Sequence, residues 1–100
     1  MADVYYNPGD FGLTLVGTAD EAGLSYEFSM FGVWKDAGGQ LYYGADSGCS
    51  CPSPFEDFTS VEALTKATAA EVHAALDEWA PDDEESRAEV ASLHAKVAAL

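Results

Sequence analysis

Basic side chains are scarce in this chain. Four Lys and Arg stand against 18 Asp and Glu in 100 residues, a net charge of −14. Binding to nucleic acid rests on neutralising phosphates with Lys and Arg, and four cations cannot furnish such a surface. The same shortage excludes electrostatic attraction to an anionic membrane. Cysteine is scarce too: Cys49 and Cys51 are the whole complement, whereas a secreted disulfide framework needs several spaced cysteines. In a reducing compartment both are thiols by default. No apolar run approaches the roughly 18 residues that a spanning helix needs. The opening MADVYYNPGD has neither the basic stretch nor the apolar core of a signal peptide. These absences together predict a cytoplasmic protein.

What is present predicts a single folded domain over residues 1–100. Hydrophobic residues make up 48% of the chain, enough for one modest core and too many for a disordered polyanion. Composition shifts near residue 58. Residues 1–58 hold all nine glycines, all five tyrosines and all five phenylalanines; residues 59–100 are rich in alanine, lack glycine and contain only Pro81 as proline. The first part reads as strands and a Cys-Pro loop, the second as helices. Strands followed by helices make an α+β domain.

Three strands are expected. Residues 11–16 alternate, with Phe11, Leu13 and Leu15 on one face. Residues 25–34 are dense in aromatic and β-branched side chains, with Tyr26, Phe28 and Met30 sharing a face. Residues 40–45 return after a Gly-rich turn at 35–39, and Gly32 is a candidate bulge. The helical half has two capping-box patterns, Thr59–Glu62 and Thr68–Glu71. It therefore reads either as a short helix over 60–66 and a second from Ala69, or as one helix over 60–79. Pro81 ends this segment and suits the first position of the next helix, with Asp82 to Glu85 in its first turn, where the helix dipole favours anions. Val90, Leu93, Val97 and Leu100 form a narrow apolar seam for the sheet, the preceding helix or a second copy; the last would make a homodimer. The expected architecture is a three-stranded antiparallel sheet packed by two or three C-terminal helices. Phe11, Leu13, Tyr26, Phe28, Met30, Trp34 and Tyr42 should share its core with Val61, Leu64, Val72, Leu76 and Trp79.

The most distinctive string is Asp46-Ser-Gly-Cys-Ser-Cys-Pro-Ser-Pro-Phe-Glu56, in which Pro52 and Pro54 restrict the backbone. It follows Tyr5-Tyr-Asn-Pro8, Phe11-Gly-Leu13 and an aromatic strand ending in Val33-Trp34. In these features the chain resembles small acidic proteins encoded by bacteriophages of actinobacteria. The resemblance covers about residues 4–58 and leaves out the alanine-rich remainder. That family brings no activity with it, so the resemblance implies an origin and not a mechanism.

Several chemistries compete for these residues. Cys49 and Cys51 are good zinc ligands, and His73, His94 or Asp46 could complete a tetrahedron; yet C-x-C departs from the usual C-x₂₋₄-C spacing, and the plainer reading is a braced turn. A redox pair wants cationic surroundings, whereas the local charges are Asp46, Glu56 and Asp57. Cys–His catalysis lacks an oxyanion loop beyond Gly48, and both histidines fall beside apolar residues of predicted helices, so no catalytic constellation is read. Seven carboxylates crowd into residues 77–89. They read plainly as a solvated helix junction. The sharper reading is a docking face for a basic patch, on a host protein or on a DNA-binding surface that the carboxylates mimic. The sequence thus predicts a non-enzymatic phage accessory protein that binds a host cytoplasmic protein. Its contact would be either the loop (Asp46, Ser47, Gly48, Ser50, Pro52, Pro54, Phe55) or the acidic face (Asp77, Glu78, Asp82, Asp83, Glu84, Glu85, Glu89). No cofactor is expected beyond the zinc of the rival reading.

Overall fold

A computed structural model describes residues 4–21, 27–49, 58 and 60–100. A 3₁₀ turn at Pro8–Phe11 leads into strand β1, Leu13–Asp20; β2 spans Glu27–Asp36 and β3 spans Leu41–Cys49. A second 3₁₀ turn, Val61–Ala63, precedes β4, Thr65–Ala67, and two helices follow, α1 over Ala69–Trp79 and α2 over Glu84–Ala98. The architecture is α+β, with an antiparallel sheet in the order β1-β2-β3-β4.

The fourth strand corrects the expected three, and it lies in the half read as purely helical. Val61–Ala63 makes only a 3₁₀ turn, to which Ser60 lends no side-chain cap. The outer edge of β3 then captures the next residues: Leu41, Tyr42 and Tyr43 pair with Ala67, Lys66 and Thr65. The Gln40 amide clips this joint by donating to Ala67 O at 2.8 Å and Leu41 O at 3.0 Å. Ladder bonds to an open edge outweigh the weak helical preference of three residues. The second capping box forms as read. Thr68 Oγ1 accepts from Glu71 N at 3.2 Å, and the Glu71 carboxylate accepts from Thr68 N at 3.0 Å, so the helix starts at Ala69.

The β2–β3 hairpin is paired without interruption from Glu27↔Cys49 to Lys35↔Leu41. Asp36 organises its turn. Its Oδ1 accepts from Gly38 N and Gln40 N, and its Oδ2 from the Tyr42 hydroxyl. These bonds, that from Gln40 foremost, hold the Asp36 carboxyl below the ordinary carboxylate range. Because β2 begins at Glu27, it offers partners to the start of the cysteine motif. Asp46, Ser47, Gly48 and Cys49 are therefore strand residues, opposite Met30, Ser29, Phe28 and Glu27, and not loop.

Gly32 is not a bulge. The irregularity sits in β1, where Leu15 faces Trp34 and Gly17 faces Val33, leaving Val16 as the extra residue. One inserted residue reverses which side chains point where. Leu13 and Leu15 join one side of the sheet, Ala19 the other.

Both sides are covered. On one, Ala19, Phe31, Val33, Leu41 and Ala67 meet Val72 and Leu76 of α1 and Val90, Leu93 and Val97 of α2. Phe31 stacks on Tyr43 at 5.4 Å and tilts against Trp79 at 5.9 Å. On the other, Leu13, Met30 and Trp34 are closed by Val4 and Leu64, with Tyr5, Phe11, Tyr42, Phe58 and Val61 around them. Trp34 Nε1 donates to Val4 O at 2.8 Å, and Val4 N donates to Phe58 O at 3.0 Å. The helices thus cover the Phe31–Val33 side, whereas the expected core set them against Met30 and Trp34. Tyr26 and the Phe28 side chain lie outside the described residues.

The junction between the helices also differs from expectation. Pro81 does not open α2. Asp83 does, as N-cap, its Oδ2 accepting from Ser86 N at 2.9 Å; aspartate is among the better side chains for that task. The apolar seam of α2 is spent on the chain's own sheet. Val90, Leu93 and Val97 are buried there, and only Leu100 is exposed, which leaves no continuous seam for a second copy. Helix α2 lies close over β1 at Gly17, where a Cβ would stand 2.9 Å from Lys96 Cδ.

Candidate functional site

The turn from α1 to α2 concentrates charge. Asp77 and Glu78 come from the last turns of α1, Asp82 and Asp83 from the link, Glu84 and Glu85 from the first turn of α2, and Glu89 from the next. All seven are exposed. The sequence dictates this. The apolar residues of both helices follow helical spacing and claim the inward side, so the acids between them are left to water. Two of the seven have local tasks. Asp83 caps α2, and hydrogen bonds from the Ser86 hydroxyl and amide keep its carboxyl below the usual range. Asp77 Oδ1 accepts a hydrogen bond from His94 Nε2 at 2.7 Å. The negative field reaches the sheet as well: the Asp20 carboxyl at the end of β1 is raised, first by shielding from water and then by Glu89.

The histidines read as zinc candidates do come together, but with each other. His73 of α1 and His94 of α2 have Nδ1 atoms 2.6 Å apart, and His94 Nε2 lies 2.7 Å from Asp77 Oδ1. Both ring nitrogens of His94 are thereby engaged. Cys49 closes the end of β3 remote from β4, and Cys51, with Ser50, Pro52, Pro54 and Phe55, lies outside the described residues. Among the described residues no group of three or more His, Cys, Asp or Glu side chains is arranged to hold a metal, and no helix is long and apolar enough to cross a membrane. A separate open concavity of about 470 Å³ lies beside the β2–β3 turn, lined by Lys35, Gln40, Leu41, Thr68, Val97 and Leu100 among others. Apart from Val97 and the exposed Leu100 of the seam, it contains none of the candidate residues.

Residues 2–100 match a family described as a domain of unknown function, DUF7574. The chain belongs to that family. No curated protein and no solved structure matches it. The DUF7574 match spans all four strands and both helices, so the acidic junction and the cysteine motif lie within one family unit. Within this DUF7574 chain, the grouping that sequence reading missed is His73, His94 and Asp77. Half of it was legible: His73 and Asp77 are four apart on one helix and so share a face. The pairing with His94 was not, because it depends on how α2 is laid across the sheet.

Proposed function

We propose that this DUF7574 protein is a non-enzymatic accessory protein of an actinobacterial phage, and that it binds a basic surface of a host cytoplasmic protein through its acidic helical junction. The observation that carries this reading is the exposure of all seven carboxylates at 77–89. A patch of one sign steers an oppositely charged partner and raises its association rate, an effect that falls steeply with salt. The resemblance of residues 4–58 to small acidic phage proteins supports the origin.

The test is capture from an actinobacterial lysate. The bait is compared with a variant carrying Asp82→Asn, Glu84→Gln, Glu85→Gln and Glu89→Gln, which keeps the Asp83 cap and the Asp77 contact. A discrete partner is expected with the native chain, weakened by salt and lost with the variant. Recovery of nothing above background, or equal recovery by both baits, would sink the reading.

A further inference from the structure

The contact between α1 and α2 does more than pack two rings together. The His73 and His94 rings have centroids 4.8 Å apart and planes only 18° apart, with their Nδ1 atoms at 2.6 Å. Nitrogens that close, with centroids that far, mean rings meeting head-on in nearly one plane and not lying face to face. Two lone pairs cannot point at each other across such a gap, nor can two N–H groups, so the contact requires a single hydrogen between the nitrogens. Asp77 fixes which ring accepts. A carboxylate is an acceptor, so His94 Nε2 carries a hydrogen toward it; neutral His94 then presents Nδ1 as a lone pair, and His73 donates its own Nδ1–H.

We propose that His73, His94 and Asp77 form a one-proton clasp between α1 and α2, closed until both imidazoles are protonated and open thereafter. The proton count is explicit. One added proton leaves the pair with a single charge, and one hydrogen still lies between the two Nδ1 atoms. A second makes both rings cations and sets two N–H groups against each other, which breaks the contact. Acidification supplies the second proton and so opens the clasp. Asp77 of α1 is the carboxylate hydrogen-bonded to His94. On α2, Lys96 lies over Gly17 and Glu89 acts on Asp20, both toward β1. The sheet beneath is apolar, with Phe31, Val33 and Leu41. A metal in the gap fits poorly, since zinc needs about 2.0–2.1 Å to each nitrogen and converging lone pairs, whereas these face one another at 2.6 Å.

The test is nitrogen-15 NMR of the full chain labelled in histidine. At about pH 8 the expected result is a Nδ1–H tautomer for His73, a Nε2–H tautomer for His94 and a through-hydrogen-bond coupling between the two Nδ1 atoms. On acidification the coupling should vanish once both rings carry a hydrogen on each nitrogen. His73→Gln and Asp77→Asn should each change the His94 titration. Two Nε2–H tautomers without coupling, or a His94 titration indifferent to His73→Gln, would overturn the clasp. So would one equivalent of zinc that abolishes the coupling and gives both rings metal-bound shifts.

Discussion

Gly32→Ala sets local preference directly against packing. Glycine inside a strand costs roughly 0.5–1 kcal/mol relative to alanine, so propensity alone expects the variant to be more stable. The tertiary structure reverses the sign. A Cβ at position 32 would stand 2.5 Å from Trp34 Cη2 and 2.8 Å from Cζ3, well inside contact distance. Trp34 has little room to yield, because it is fully buried and its Nε1 is tied to Val4 O at 2.8 Å. Overpacking of this kind costs about 1–3 kcal/mol. Any rotation that relieves it strains or breaks the Trp34–Val4 bond, and an orphaned buried carbonyl costs about 1–3 kcal/mol more. Against the propensity gain, the net is a loss of about 2 kcal/mol. In a domain of this size that lowers Tm by roughly 10 °C. Urea denaturation followed by far-UV circular dichroism measures it. A second leg uses the Trp34→Phe background, whose smaller ring leaves room for the methyl; there the cost of Gly32→Ala should fall below half, because the two sites are coupled. A Gly32→Ala protein as stable as the native chain would refute the placement of the Trp34 ring over Gly32.

Two further outcomes follow from the same packing. Thr68→Ala removes one arm of the capping box and should cost about 1 kcal/mol, read as a shift of the urea midpoint at unchanged slope. Asp20→Asn should stabilise the protein near neutral pH, because the folded-state carboxyl is raised by shielding and by Glu89. The sign runs that way since an acid with a raised folded-state pKa penalises the fold while ionised. The penalty is present above the folded-state pKa and fades as pH falls toward the unfolded value. Calorimetry across pH 3–7 should show the Asn variant's advantage shrinking to nothing at the acid end; a constant advantage would assign it to some other cause.

Much of this fold is written in short-range pattern. The hairpin around Asp36, the Thr68–Glu71 cap, the helical stripe Val72–Leu76 and the seam Val90–Leu93–Val97 are legible because periods of 2 and 3.6 and turn chemistry act over a few residues. The acidic junction is legible for the same reason, as side chains left over when the inward stripes are assigned. The site was less so. His73 and His94 are separated by 21 residues, and no local rule brings them head-on.

The sequence by itself determined the α+β class, the β2–β3 hairpin and the address of the charge. The tertiary structure alone decided four things: that Thr65–Ala67 would leave the helix for the edge of β3, that Val16 would be squeezed out as a bulge, that the helices would cover Phe31 and Val33, and that two histidine nitrogens would meet at 2.6 Å. The division has one physical cause. Local preferences are worth tenths of a kcal/mol per residue, while an unpaired strand edge, a buried indole or a buried apolar face is worth several times more. Where the two disagree, the partner that arrives from far along the chain prevails.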